Sequence, residues 1–163
     1  RALAQVPQES YLFPGTVADN IAYGASGATD DEVQAAVERI GALGVIGTIP
    51  GGFNARVGER GRGLSSGQRQ IIALARAEML TPAVLLLDEA TATLDPATER
   101  AVLDASDKAM AGRTSVVVAH RLATAARADR ILVIDEGRII EDGCHEDLIS
   151  AGGRYAHMWA VNR

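Results

Sequence analysis

Acidic and imidazole side chains follow two apolar runs of the sequence. Asp88 and Glu89 come directly after residues 84–87, and His120 follows residues 115–119. In open α/β sheets, ligands bind beyond the carboxyl ends of parallel strands. There, one carboxylate can hold a divalent cation while its neighbour orients or deprotonates a water, and an imidazole can reach a phosphate. Two strands therefore bring polar chemistry to the same edge of a predicted sheet.

Residues just after a strand are also common as helix caps and loop residues, and this is the alternative interpretation for all three side chains. Asp135 and Glu136 illustrate it. They follow the apolar run of residues 131–134, yet Gly137 and the returning run of residues 138–141 make them a turn. We expect an antiparallel hairpin at the sheet edge there.

A glycine- and serine-rich segment, residues 61–68, leads directly into a helix that is predicted to start at Ser65 or Ser66 and to end near Leu80. Backbone N–H groups at a helix start form an anion site. Ser66 stands where a dinucleotide fingerprint needs its third glycine, and no buried strand precedes the loop, so a Rossmann interpretation fails. Taken alone, such a loop is more often an ordinary helix start than a phosphate site.

The elements that position these groups change in type near residue 80. Both later apolar runs are typical of parallel strands covered on both faces, and the long helix before them is apolar on most sides, so we expect it to be buried. The remaining predictions are a strand over 3–6, a helix over 31–40 capped by Thr29 or Asp30, turns over 41–52, a helix to about 110 capped by Asp95, and helices over 121–128, 145–150 and 154–161.

The 163 residues carry a net charge of −5, with 47% hydrophobic and 23% charged residues. These values are typical of one soluble globular domain and argue weakly against a nucleic-acid binder. Cys144 is the single cysteine, which excludes an internal disulfide. Beside His145 it lacks a further ligand set, so we interpret it as an ordinary thiol. No apolar stretch approaches the roughly 20 residues that cross a bilayer.

Seven segments carry a further pattern: residues 6–9, 57–61, 64–68, 84–89, 93–95, 119–122 and 137–143. In order and spacing they resemble motifs of the ATPase domain of ABC transporters. The resemblance covers essentially the whole chain. It implies a P-loop NTPase-like (RecA-like) parallel sheet core, here incomplete, with an α-helical signature subdomain. The implied domains are 1–8 (core strand and Q-loop), 9–80 (helical subdomain) and 81–163 (core). The matching segments are 6–9 (Q-loop), 57–61 (the exporter X-loop), 64–68 (signature), 84–89 (Walker B with its glutamate), 93–95 (D-loop), 119–122 (H-loop) and 137–143 (exporter tail).

The resemblance implies a role for each matching side chain in one ATP site. Asp88 would hold Mg²⁺, and Glu89 would be the general base or water-positioning residue for attack on the γ-phosphate. His120 would contact that phosphate. Gln8 would sense Mg²⁺ and the attacking water while linking the site to the membrane domain.

The resemblance implies a second group of residues that bind the γ-phosphate of an ATP held mainly by another ATPase domain. These are Ser65, Ser66, Gly67 and Gln68 with the helix start behind them, and Asp95 would lie at the dimer interface. Departures from the usual pattern are Ser66 for glycine, Ala92 and Thr93 for Ser-Ala, Ala55 and Arg56 for Thr-Glu, and Cys144 for threonine.

A P-loop needs a lysine that reaches the β- and γ-phosphates. The only lysine, Lys108, follows Asp107 inside a predicted helix without a glycine nearby, so the 163 residues hold no Walker A motif. The resemblance therefore implies the C-terminal part of an ATPase domain, from the Q-loop onward. Alone, this polypeptide is expected to bind ATP very weakly and not to turn it over.

The implied function is part of the ATP-binding and ATP-hydrolysing domain of an ABC exporter, at the cytoplasmic face of a membrane. The implied partners are a second ATPase domain and a transmembrane domain, of which the transmembrane domain lies on the same parent polypeptide. Nucleic acid is not an expected partner. Two alternatives stay open: a non-catalytic module that supplies the signature motif to a partner's ATP, and a soluble ATPase of the same family. The sequence names neither the cargo nor the homo- or heterodimeric state.

Overall fold

The computed structural model describes residues 3–88 and 94–162. Within these residues, no helix is both long and apolar enough to cross a membrane. The strands are β1 (Leu3–Val6), β2 (Gly15–Thr16), β3 (Arg56–Val57), β4 (Val84–Asp88), β5 (Thr114–Val118), β6 (Ile131–Asp135) and β7 (Arg138–Gly143). The helices are α1 (Val17–Ile21), α2 (Asp30–Arg39), α3 (Leu43–Gly47), α4 (Ser66–Met79), α5 (Pro96–Met110), α6 (Leu122–Ala125), α7 (His145–Ala151) and α8 (Arg154–Val161).

Three strands form a parallel sheet in the order β1-β4-β5. Val6 of β1 pairs with Leu87 of β4, and Leu87 pairs with Val117 of β5. The three strands therefore end at the same edge, because parallel strands in register point their carboxyl ends the same way. The predicted α/β architecture with a parallel sheet is confirmed.

The expectation that β5 is buried on both faces is wrong. Val116 and Val118 are 52% and 56% exposed. Side chains alternate between the two faces of a strand, and in the described chain only one face of the sheet is packed. A continuous apolar run predicts burial on both faces without showing what covers the second one.

The packed face lies against α4. Ala4, Val6, Leu85 and Leu87 of the sheet share one apolar cluster with residues of this helix. The prediction of a buried helix is confirmed. Its buried residues include Gly67, Ile71, Ile72, Ala73, Leu74, Ala75, Ala77 and Glu78.

Short helices precede α4. The predicted helix near residue 31 is α2, with Thr29 as its N-cap and a reciprocal capping box with Glu32. The expectation of turns over residues 41–52 is wrong in part, since α3 lies there and buries Ile46. The glycines at both ends of this segment hide the helix in the sequence, because glycine has a low helix propensity that tertiary packing overrides.

By its internal contacts the chain divides into two compact units, one up to Val118 and one from Ala119. In the second unit, β6 and β7 form the predicted antiparallel hairpin, with Glu136 and Gly137 at positive φ in the turn. The expected place at the edge of the main sheet is wrong: within the described residues the hairpin is a sheet of its own. A turn motif predicts which two strands pair with each other, but not which sheet they join. The unit's core contains Ile131, Val133, Leu148 and Tyr155.

A buried carboxylate of α4 binds the end of α2 and the residue just before β5. Glu78 bonds the Nε atom of Arg39 at 2.7 Å and an Nη atom of Arg113 at 2.8 Å. The side chains of Glu78 and Arg113 are 6% and 17% exposed, whereas that of Arg39 is 49% exposed. A charge removed from water needs its partners, so Glu78 and Arg113 depend on each other more than either depends on Arg39.

We expect Glu78→Gln to lower the free energy of unfolding by about 3 kcal/mol, because it leaves the largely buried side chain of Arg113 without its counter-ion. Arg39→Ala should cost only about 0.5 kcal/mol, as for a half-exposed pair. Urea unfolding followed by circular dichroism measures both, with the exposed Glu38→Gln as control. Equal losses for Glu78→Gln and Arg39→Ala would contradict this ranking.

Candidate functional site

The carboxyl edge of the parallel sheet carries two of the predicted site residues. Asp88 is the last residue of β4, half-buried, and its register partner is Val118. Gln8 lies two residues beyond β1 and is exposed. Because Val6 pairs with Leu87, the structure brings the segments that bear Gln8 and Asp88 to one edge.

The other two predicted catalytic residues are less defined by the structure. Glu89 lies outside the described residues, as do Ala92 and Thr93. His120 is exposed, follows β5 by two residues and belongs to the second unit, whereas Asp88 belongs to the first. Its predicted role therefore stays a prediction.

The start of α4 is a closed capping box. The hydroxyl of Ser65 accepts a hydrogen bond from the backbone amide of Gln68 at 3.2 Å, and the side-chain oxygen of Gln68 accepts one from the backbone amide of Ser65 at 2.9 Å. The side-chain NH₂ group of Gln68 also donates to the Thr48 hydroxyl at 3.2 Å. The amides of Ser66 and Gly67 are not part of this box. The turn is thus held rigidly, with the positive end of a 14-residue helix behind it.

The loop before this turn is fixed by α4 itself. Arg69 donates to the carbonyl of Leu64 at 2.7 Å, and Leu64 is buried. Gly61 has a φ of +76°, and a Cβ there would lie 2.6 Å from the Arg69 side chain. Only glycine fits both the backbone conformation and the close approach. The glycine at position 61 therefore has a structural cause independent of any ligand.

Asp95 is the N-cap of α5. Its Oδ1 atom accepts hydrogen bonds from the amides of Ala97 at 3.1 Å and Thr98 at 3.0 Å. Hydrogen bonds from the Thr98 side chain, and then from the Thr98 amide, hold the pKa of Asp95 below its ordinary value. The side chain is exposed, so capping and a contact with a partner are compatible.

The starts of α4 and α5 meet. Gly67 is buried, and the side chains of Leu94 and Thr98 lie beside it. The structure therefore brings the turn of Ser65 and Gln68 together with the Asp95 turn. Both segments present their first helical turns at one place in the first unit.

The segment that follows Gln8 is bound to the middle of α4 by Arg76. Its guanidinium donates to the carbonyls of Asn20 at 2.8 Å and Tyr11 at 3.1 Å. It also lies over the rings of Phe13 and Tyr23, at 5.8 and 5.4 Å from their centroids, in cation–π geometry. Burial lowers the pKa of Arg76. One helix thus holds both the capped turn and the segment next to Gln8.

The donors at the sheet edge suit Mg²⁺. Asp88 offers carboxylate oxygens and Gln8 an amide oxygen, which are hard ligands. In the described part of the chain, no three His, Cys, Asp or Glu side chains gather into a metal site. Mg²⁺ is held through one or two protein ligands with phosphates and waters rather than in an all-protein cage, so this donor set fits it.

Sequence reasoning missed three supporting side chains. Arg76 and Glu78 fix neighbouring segments against α4, and Thr98 lies between the starts of α4 and α5. A signal existed for two of them, since Arg76 and Glu78 are charged residues in a helix predicted to be buried, and a buried charge needs a partner. The partners themselves lie far along the chain. No pattern in the sequence singles out Thr98.

A parallel sheet with helices packed on one face and a carboxylate at a strand end is an open α/β arrangement, and the solved structure that it matches gives the P-loop NTPase-like fold. The structure of a bacterial Atm1-family ABC exporter with ATP bound superposes with a TM-score of 0.87 and 46% identity, over 98% of this chain and 28% of that one. The sequence profile of the ABC transporter family matches residues 1–92. This chain belongs to the ABC transporter family, and the predicted resemblance is confirmed.

Two curated relatives give the scale of the match. A multidrug efflux ATP-binding/permease protein of Mycobacterium bovis is 49% identical over 160 residues, which is 98% of this chain and 13% of the relative. ATP-binding cassette sub-family B member 6 of Homo sapiens is 49% identical over 158 residues, which is 97% of this chain and 19% of the relative. The chain spans less than a fifth of the length of either.

Asp95 should give the fold a pH dependence. Its folded pKa is lowered, so its charge stabilises the fold above its unfolded pKa of about 3.9, and the contribution is lost as the pH falls from that value through the lower folded pKa. We expect wild type to have a higher Tm than Asp95→Asn at pH 7, and the gap to narrow as the pH falls below about 3.9. Thermal unfolding across this range measures it, with Asp104→Asn, exposed in the same helix, as control. A gap independent of pH would contradict the prediction.

Proposed function

We propose that this chain is part of the ATP-binding and ATP-hydrolysing domain of an ABC exporter. The observation that carries the proposal is the register of β1, β4 and β5, which brings the segments with Gln8 and Asp88 to one sheet edge. The likeness to an exporter with ATP bound supports it. Residues 1–8 would be the core strand and Q-loop, 9–80 the helical subdomain, and 81–163 the remaining core.

In this proposal Asp88 and Gln8 would hold Mg²⁺ close to the phosphates of ATP. When bound, the ion neutralises the charge that develops on the transferred phosphoryl group. Glu89 orients or deprotonates the attacking water, and His120 donates a hydrogen bond to the γ-phosphate. A strand end positions Asp88 rigidly, which is what such a reaction requires, since the protein contributes mainly placement and charge.

The capped turn of α4 serves a different nucleotide. Ser65, Ser66, Gly67 and Gln68 would bind the γ-phosphate of an ATP held by a second ATPase domain, with Asp95 at the interface between the two. The capping box supports this role, because it fixes the turn before any anion arrives. A preformed turn loses little entropy on binding.

The remaining partners follow from the open face of the sheet. Leu3, Val116 and Val118 are exposed large apolar residues, and an exposed apolar patch commonly marks a surface that another segment covers. We assign it to a segment that carries the P-loop lysine, which these 163 residues lack. A transmembrane domain on the same polypeptide would place the ATPase at the cytoplasmic face of a membrane.

A non-catalytic module that only supplies the turn of Ser65 to a partner is the second candidate. The capping box favours it as much as the catalytic role, because the box needs neither Glu89 nor a P-loop. The two differ in one feature of the gene. A GxxGxGK[ST] segment encoded before Arg1 supports the ATPase, and its absence from the full-length protein supports the module.

The 163-residue chain alone should hydrolyse ATP at the background rate, because the lysine that grips the phosphates is outside it. The full-length protein should hydrolyse ATP, and Glu89→Gln should reduce its kcat by roughly 10³-fold, as for loss of a general base. Release of inorganic phosphate measures both. Turnover by the isolated chain, lost in Glu89→Gln, would contradict the need for a second segment.

Ser65→Asp separates capping from anion binding. Aspartate caps a helix as well as serine does, so the Tm should not fall, whereas its negative charge should repel a γ-phosphate and lower kcat by about 100-fold. Ser65→Ala should instead lower the unfolding free energy by about 1 kcal/mol. Thermal unfolding and phosphate release in the full-length protein test the pair. A Ser65→Asp variant with normal turnover would remove this turn from the proposed site.

A further inference from the structure

Thr98 lies in the first turn of α5, three residues after the cap Asp95. Its two γ substituents face different segments. The hydroxyl hydrogen-bonds the carboxylate of Asp95, and the methyl group Cγ2 lies against Gly67 in the first turn of α4. One side chain therefore touches both turns that the proposed function places at a nucleotide interface.

Gly67 is not required by its backbone. It is the second residue of α4 and is absent from the residues with positive φ, so alanine could adopt the same conformation and has the higher helix propensity. The obstacle is a neighbour in the same chain. A Cβ at position 67 would overlap Cγ2 of Thr98, whereas the next nearest atoms, on Leu94 and at Thr98 Cβ, lie at an ordinary 3.6 Å.

Thr98 has little freedom to move aside. A β-branched side chain in a helix has few χ1 rotamers, and rotation would also break the hydroxyl bond to Asp95. The contact between Gly67 and Thr98 is therefore stiff, so a movement of the first turn of α5 also moves the first turn of α4.

We propose that Thr98 is a positioning residue that joins the Gly67 turn to the Asp95 turn, and so sets the α4 start for the partner's nucleotide. This inference rests on the proposed function. It explains the glycine at position 67 by a contact within the chain, in addition to the space that a ligand would need there. The two causes predict different results when the Thr98 methyl group is removed.

The experiment uses the full-length protein that contains this chain and five variants: Gly67→Ala, Thr98→Ser, their combination, Thr98→Val, and Gly44→Ala. Gly44 is also the second residue of a helix without positive φ, and a Cβ there meets no atom within 4 Å. It is thus a matched control for a methyl group at that helical position. ATP turnover gives kcat and KM, and thermal unfolding gives Tm.

We expect Gly67→Ala to lower kcat at least ~10-fold with KM for ATP changed by less than ~3-fold, because the group that grips the nucleotide is elsewhere. Its Tm should fall by roughly 4 °C, whereas Gly44→Ala should change neither quantity downward. In the combined variant, serine leaves room for the new methyl group, so kcat should return to within ~3-fold of Thr98→Ser alone.

Thr98→Val tests the contact between the Thr98 hydroxyl and Asp95. It keeps a methyl group toward Gly67 and removes the hydroxyl that holds Asp95. We expect kcat to fall ~3- to 10-fold at unchanged KM, and Thr98→Ser, which keeps the hydroxyl, to lose less.

Three outcomes would overturn the inference. If the combined variant is as inactive as Gly67→Ala, Gly67 is needed for the nucleotide alone, while wild-type turnover still supports the proposed function. If, across these variants, kcat falls and KM rises in proportion to the loss of Tm, Thr98 is only a packing residue. If the wild-type full-length protein has no ATPase activity, the proposed function fails and this inference fails with it.

Discussion

The first unit depends on one constraint: α4 must be buried along most of its length and still present its first turn at the surface. Apolar residues around Ile71, Ile72 and Leu74 satisfy the first demand by packing against the sheet. The capping box of Ser65 and Gln68 satisfies the second, since it closes the exposed end without a partner from elsewhere.

The polar residues inside α4 have to be compensated by the segments around it. Arg76 is enclosed by the carbonyls and rings of residues 11–23, and Glu78 by Arg39 and Arg113. Arg76 joins α4 to the segment that follows Gln8, and Glu78 joins it to the end of α2 and to the residue before β5. Burial of charge therefore acts here as a means of fixing the position of one segment relative to another.

Much of this could be predicted from the sequence because it depends on local patterns. The helix start at Ser65, the cap at Asp95 and the hairpin at Gly137 each follow from a few neighbouring residues. The exposure of Val116, the ion pairs of Glu78 and the meeting of Gly67 with Thr98 depend on residues distant in the chain. The family's motifs identified Asp88 and Gln8, but only the register of the strands brings their segments together.

The parallel pairing of β1 with β4 has a consequence for the way the chain folds. Leu3 pairs with Val84, so every element from β2 to α4 lies between the two strands. During synthesis β1 cannot pair with β4 until that whole segment has emerged, and the loop that closes is long. Non-local parallel pairing is slow and leaves strand edges open in the meantime. The local caps need no such wait: Thr16 and Asp19 form a capping box at the start of α1, as Thr29 does for α2 and Ser65 for α4. This favours formation of these helices before closure of the sheet.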